Sequence, residues 1–191
     1  MNILIGGAMR SGKTQVAESL AKRLGFSYLS SDSLVLTLRD CFPEIALGGQ
    51  GKSYDELCDA FLPVLEKLFF YLGKNSSMNY VVDGHFIRPR DIQKFGLSCK
   101  AFFLGFPGID PEMRLSQLRA YGKTAECYTN NMEDADLLER VNRWVEYSKS
   151  LRKECLEYEV PFLDVIGQDG RFAGVSVDMA LRTLGFTHTT A

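Results

Sequence analysis

The strongest constraint in this chain is the stretch Gly7-Ala8-Met9-Arg10-Ser11-Gly12-Lys13-Thr14, which satisfies G-x-x-x-x-G-K-[ST] in full. Each part of that pattern has a physical task. Glycines allow backbone angles that a Cβ forbids, so successive amide N–H groups can turn inward onto phosphate oxygens. A helix starting near Gly12 adds the positive end of its dipole. The Lys13 ammonium then suits β- and γ-phosphates, and the Thr14 hydroxyl suits one Mg²⁺ position. The bland alternative is a glycine-rich turn with an exposed lysine. The flanks argue against it: residues 2–6 are a short apolar run of strand type, and Val16, Leu20, Ala21 and Leu24 recur at helical spacing until Gly25. Strand, loop and helix in that order are the context the motif requires.

The rest of the chain continues the alternation. Strands are expected at 26–30, 79–83, 101–106 and 161–165, and helices after Ser31 or Asp32 as cap, then at 54–72, 110–121, 134–158 and 175–184. In the 54–72 segment Leu57, Phe61, Leu65, Leu68, Phe69 and Leu72 share one face, and Pro63 is expected to kink it. Residues 43–53, with three glycines, are expected to form a mobile loop. The strands are apolar on successive residues, as where both faces are covered, so a parallel α/β sheet is expected. With 191 residues, 46% of them hydrophobic, one domain over 1–191 is expected.

A formal net charge of −2 advertises neither nucleic acid nor an anionic membrane as partner, so any anion site must be built locally. No apolar run approaches the roughly 18 residues that span a bilayer. The first residues lack the charged start and cleavage site of a signal peptide. Cys41, Cys58, Cys99, Cys127 and Cys155 show no C-x-x-C spacing, and the only histidines are His85 and His188. Small buried thiols in a reducing, cytoplasmic setting are therefore expected, without a histidine- or cysteine-based metal site.

No N-K-x-D segment is present to read guanine, and the chain beyond the loop resembles the nucleoside monophosphate kinase and small-molecule kinase group, adenylate-kinase-like in outline. That resemblance covers most of the chain, although only the loop is highly specific. It implies the three-layer P-loop NTPase fold with a five-stranded parallel sheet of order 2-3-1-4-5, a short lid at 120–135, and ATP with Mg²⁺ as ligands.

Further positions take meaning from the same resemblance. In Leu29-Ser30-Ser31-Asp32-Ser33-Leu34, Asp32 matches the residue that meets the acceptor and in several members receives the proton of the attacking hydroxyl. Its plainer reading is a helix cap, and the two roles are compatible. Asp83, ending an apolar strand at the carboxyl edge where ligands bind in open α/β sheets, is placed to hold Mg²⁺ through water or to orient the acceptor. Gly84 beside it leaves room for a close ligand, and the alternative is an ordinary Asp-Gly turn. Asp83-Gly84-His85-Phe86-Ile87-Arg88-Pro89 is similar to small-molecule kinases and points away from nucleotide acceptors.

Arg119 at the lid entry, with Arg140 and Arg143 past its exit, is expected to neutralise the transferring phosphoryl group. The competing reading is a solvated helix face with pairs such as Glu139 to Arg143. Trp144 is expected in the core. Arg88 and Arg90 either receive an anionic acceptor or lie in a solvated turn. Residues 165–170 correspond to where this group lays backbone against adenine. The short lid has no cysteine cluster for zinc, and the second-strand segment does not reproduce an AMP-binding sequence. The expected activity is ATP-dependent phosphoryl transfer to a small-molecule hydroxyl or phosphate. A nucleoside monophosphate kinase and a non-transferring ATP-binding switch or scaffold are the rivals.

Overall fold

Asn2–Gly7, Ser27–Ser30, Tyr80–Asp83, Cys99–Gly105 and Phe162–Asp164 form strands β1 to β5 of this computed structural model, which describes residues 1–45, 47, 51–74, 78–96, 99–124 and 127–186. They join in one parallel sheet of order β2-β3-β1-β4-β5, the order that the resemblance implies. The central strand β1 is buried along its whole length. Its alternate side chains enter two separate cores. Ile3 and Ile5 join Val81, Phe102 and Leu104 on one face, while Leu4 joins Val82 and Phe103 on the other. Each such side chain contributes about 1.5–3 kcal/mol on burial, so the apolar runs read in the sequence are what hold the sheet between its layers.

The helices are α1 (Lys13–Leu24), α2 (Ser31–Cys41), α3 (Tyr54–Lys74), α4 (Pro111–Gly122), α5 (Asp134–Glu157) and α6 (Val177–Thr183). Val16, Ala17, Leu20 and Ala21 seat α1 on the first face. Phe61, Leu65 and Phe69, each one helical turn apart, seat α3 on the second, and that helix runs through Pro63. The long α5 reaches both cores, with Val141, Trp144 and Val145 in one and Leu151 and Cys155 in the other. Trp144 is thus a core residue, as expected.

Helix ends obey local chemistry. Gly25 stops α1 at φ 67°, a left-handed conformation that glycine adopts without Cβ strain. Asp110 caps α4 by accepting from the Met113 amide at 2.8 Å. The start of α2 corrects the sequence expectation: its cap is Ser30, whose Oγ accepts from the Ser33 amide at 3.3 Å, rather than Ser31 or Asp32. One residue of shift releases Asp32 for a contact outside its own helix. A further difference is a 3₁₀ segment, Pro89–Phe95, in a stretch to which the sequence reading assigns no element; Pro89, Asp91 and Phe95 are buried there. Of the loop expected at 43–53, residues 46 and 48–50 lie outside the described residues, as do 125–126 of the lid and His188. Pro43–Ile45 is a 3₁₀ turn.

Sheet register brings the motifs together. Asp83 lies opposite Ile5 of β1 and Ser30 of β2, and Gly7 lies opposite Leu104 of β4. The phosphate-loop motif, the Asp32 segment and the Asp83 segment therefore leave the sheet at the same carboxyl edge. Among the described residues, no helix is long and apolar enough to cross a membrane.

Candidate functional site

The loop after β1 is shaped by backbone that few residues tolerate. Gly7 has φ 139°, and a Cβ there would stand 2.2 Å from the Leu104 carbonyl oxygen. Arg10 and Gly12 also take positive φ, 61° and 84°. Not every amide of the motif turns inward, as the sequence pattern alone suggests: the Ala8 N–H donates to Leu104 O at 2.9 Å and ties the loop to β4. The Ser11 N–H closes a turn on Ala8 O at 3.3 Å. The helix α1 then opens at Lys13 with no side-chain cap, so its first-turn amides are available to an anion. Lys13 is buried and its Nζ donates to Ala8 O at 2.8 Å. Burial pushes its ammonium pKa down, against the pull of Asp32 and Asp83.

Thr14 and Asp83, far apart in sequence, meet at the base of this loop. Thr14 Oγ1 donates to Asp83 Oδ2 at 2.9 Å, and the Tyr28 hydroxyl donates to Oδ1 at 2.8 Å. Burial raises the Asp83 pKa, with the two hydrogen bonds and Lys13 opposing. Two hard oxygens side by side, one from a carboxylate, are the donor chemistry that Mg²⁺ takes. Tyr28 does not stand out in the sequence. Its only signal there is a polar-tipped ring in a strand that ends beside Asp83.

Asp32 comes to the same place from α2. Its Oδ1 accepts the His85 amide at 2.7 Å, which locks the first turn of α2 to the end of β3. Gly84 makes that approach possible. A Cβ on it would stand 1.8 Å from Ser31 Oγ and 3.1 Å from Asp32 Oδ1, so the room expected for a ligand is occupied by α2. The His85 ring packs against Tyr54, Phe86 and Tyr147, with centroids 5.0, 5.2 and 5.5 Å away. Burial and the nearby Lys13 charge depress its pKa to about 4, so the ring is neutral at pH 7.

Lys13, Thr14, Asp32 and His85 line one cavity of about 840 Å³, which also takes in Arg10, Arg114, Gln117, Tyr121, Tyr128 and Phe172. Arg114 is the cavity residue that sequence reasoning misses most plainly. It is buried, stacks on the Phe172 ring at 3.9 Å and donates to Arg10 O at 2.6 Å. Its Nε has no partner, and burial together with Arg10 lowers its pKa to about 10. Phe172 is held there by the antiparallel bridge between Ile166 and Phe172, whereas residues 165–170 are not among those lining the cavity.

The remaining arginines are placed differently from one another. Arg88 is neither solvated nor a wall of the cavity: buried, it donates to Asp91 at 2.6 Å, Asp59 at 2.5 Å and Asp55 at 3.2 Å. Arg119 donates to the carbonyls of Thr129 and Met132 and pairs with Asp134, bracing the segment between α4 and α5. Arg143 pairs with Glu139 on an exposed helix face, the plainer of its two readings. Arg140 is exposed, and its charge acts on Tyr128, a cavity residue.

No protein-family model matches the sequence, and no curated protein is similar to it in sequence. Solved structures are similar in fold. The gluconokinase of Sinorhizobium meliloti 1021 is 18% identical, with 96% of this chain and 91% of that chain covered and a TM-score of 0.56. The tunicamycin resistance protein of Deinococcus radiodurans is 15% identical over 97% of this chain and 96% of that one, with a TM-score of 0.55. The YorR protein of Bacillus subtilis, solved with phosphorylated GDP, is 16% identical over 97% and 94%, with a TM-score of 0.51. At these identities the likeness concerns architecture: this chain has the five-stranded P-loop fold found in small-molecule kinases.

Proposed function

We propose that the protein is an ATP-dependent phosphotransferase that moves the γ-phosphoryl group to a small-molecule acceptor, in a cytoplasmic setting and with Mg²⁺. The observation that carries this reading is the convergence of Lys13, Thr14 and Asp32 on one cavity at the sheet edge, with Asp83 hydrogen-bonded to Thr14. A protein that only bound Mg·ATP would need Lys13 and the Thr14–Asp83 pair but not the Asp32 carboxylate fixed by the His85 amide.

The loop from Gly7 to Thr14 binds the polyphosphate through the amides at the start of α1, and Lys13 moves from Ala8 O onto the β- and γ-oxygens. Thr14 and Asp83 fit Mg²⁺, which when bound supplies neutralising charge at the phosphates. Asp32, its Oδ1 fixed by the His85 amide, uses its second oxygen to orient the acceptor and to receive the hydroxyl proton. As that proton leaves, the acceptor oxygen bonds to the γ-phosphorus, the bond to the β–γ bridging oxygen breaks, and ADP departs. Positioning and fixed charge supply the rate, since Asp32, Lys13 and the amides are set before the reaction begins. The nucleobase lies at the Arg114–Phe172 end. Arg140, beside Tyr128, is the lid arginine best placed for the transferring group. Arg119 braces the lid over 120–135, and Arg143 reaches phosphate only by leaving Glu139.

The test pairs two measurements. Calorimetry with Mg·ATP should show binding that Lys13→Ala weakens strongly. Asp32→Asn should lower turnover by about 10²–10⁴-fold while ATP affinity holds. An unchanged turnover would favour the switch or scaffold reading, and transfer to nucleoside monophosphates alone would favour the nucleotide kinase.

A further inference from the structure

Resting on the transferase reading, the surroundings of Asp32 also restrict what is phosphorylated. We propose that the acceptor is an uncharged alcohol, carrying neither phosphate nor carboxylate, whose carbon face packs against the His85 side of the cavity.

The first ground is the state of the arginines. An anionic acceptor needs a guanidinium or ammonium to meet it, and Arg88 and Arg90 lie only a few residues beyond Gly84-His85 in the chain. Both are already committed. Arg88 places Nε on Asp91 at 2.6 Å, Nη2 on Asp59 at 2.5 Å and Nη1 on Asp55 at 3.2 Å. Arg90 pairs with Asp55 and Glu154, and Lys94 with Asp91. Four carboxylates face three cations in this network, so its balance is negative rather than an invitation to an anion.

The second ground is where the cavity keeps its Lys and Arg side chains. Among the described residues that line it these are Arg10, Lys13 and Arg114. Lys13 lies across the phosphate loop on Ala8 O, Arg10 over Tyr121 at 5.5 Å, and Arg114 between the Phe172 ring and Arg10 O. On the transferase reading all three serve the donor. None of the residues outside the described set is a lysine or an arginine.

The third ground is the wall beside Asp32. It is the His85 ring, backed by Tyr54, Phe86 and Tyr147. The hydroxyls of those tyrosines are turned into the fold: Tyr147 donates to Tyr54 at 2.7 Å, and Tyr54 donates to His85 O at 2.7 Å. A phosphate or carboxylate placed here would meet the Asp32 carboxylate with Lys13 as the nearby cation, and on the transferase reading Lys13 is taken up by the donor phosphates, whereas an uncharged hydroxyl gains a proton acceptor and an aromatic surface.

The experiment uses the full chain with Mg·ATP labelled at the γ-position and a panel of paired probes: adenosine and AMP, uridine and UMP, glucose and gluconate, glycerol and glycerate. ATP binding is measured in parallel by calorimetry. Transfer should be confined to uncharged members, with kcat/KM at least about 100-fold above that of the anionic partner, as expected where like charges are forced together. Equal or better transfer to an anionic member overturns the inference and leaves the transferase standing. ATP binding with no transfer to any uncharged probe also overturns it. Absence of ATP binding brings down the transferase reading itself.

Discussion

The two ends of the cavity are assembled in different ways. At the donor end, residues 7–14 do the work with their own backbone: positive φ at Gly7, Arg10 and Gly12, a turn closed on Ala8 O, and a helix start with open amides. At the acceptor end, α2, α3, the end of β3, the 3₁₀ segment and α5 hold one another through the hydrogen bond from the His85 amide to Asp32, the tyrosine pair and the Arg88 network. A contiguous loop inherits its geometry from local angles, so distant substitutions leave it intact. An end stitched from five segments depends on each stitch. Substitutions at the acceptor end should therefore damage stability or turnover while sparing ATP affinity.

The harshest challenge to that contrast is Arg88→Met. It leaves the buried Asp91 carboxylate with Lys94 as its remaining cation. Breaking a buried pair from one side costs about 3–5 kcal/mol, and the surviving Lys94 places the loss near about 3 kcal/mol. Urea unfolding measures it. Folded variant should bind ATP as the parent does; a parallel fall in ATP affinity would show that the two ends are not separable.

Next in size is a pH effect. His85 titrates at about 4 in the folded protein against 6.5 when unfolded, so the unfolded chain binds more protons between those values. Stability contributed by the neutral ring is present above pH 6.5 and is lost as pH falls towards 4. Between pH 7 and pH 5 the loss is about 2 kcal/mol by linkage. His85→Gln should flatten that part of the stability profile. An unaltered slope would assign the pH dependence to another group.

Legibility in the sequence divides along the same line. The loop is readable because a motif of fixed spacing and apolar runs encode local geometry, whereas the strand order and the meeting of Thr14 with Asp83 are implied only by the resemblance. Asp32 is recognisable as a position, but the sequence also offers it as a cap, since Ser30, Ser31 and Asp32 are all good caps and only packing chooses among them. Arg88 reads from the sequence as an acceptor-binding arginine or as part of a solvated turn, because its partners Asp55, Asp59 and Asp91 are scattered along the chain. Arg114 is invisible for the same reason: its aromatic neighbour Phe172 arrives from the far side of β5, and no spacing rule links them.

Gly84→Ala probes the narrowest stitch. The new methyl would meet Ser31 Oγ at 1.8 Å and stand 3.1 Å from Ser31 Cβ and Asp32 Oδ1, so Ser31 must rotate and the start of α2, with Asp32, must give by a few tenths of an ångström. Overpacking of this kind costs about 1–3 kcal/mol, and the low end is expected because the serine side chain can rotate. The informative readout is kinetic: kcat should fall with ATP affinity held, since Asp32 moves and residues 7–14 do not. A fall confined to ATP affinity would mean that β3 supports the loop instead.

The smallest effect is the most discriminating, because Tyr28 sits where the two ends touch. Its hydroxyl and that of Thr14 each hold one oxygen of Asp83. Removing one hydrogen bond to a buried carboxylate, as in Tyr28→Phe, costs about 1 kcal/mol net. That corresponds to about a fivefold change in an affinity. If Asp83 acts through Mg²⁺, the loss should appear in ATP binding measured with Mg²⁺ and vanish in its absence, since the amides and Lys13 are untouched. Calorimetry with and without the ion makes the comparison. Equal losses in both would mean that Tyr28 merely pins β2 to β3, and the carboxylate would then belong to the framework of the sheet rather than to the donor end of the cavity.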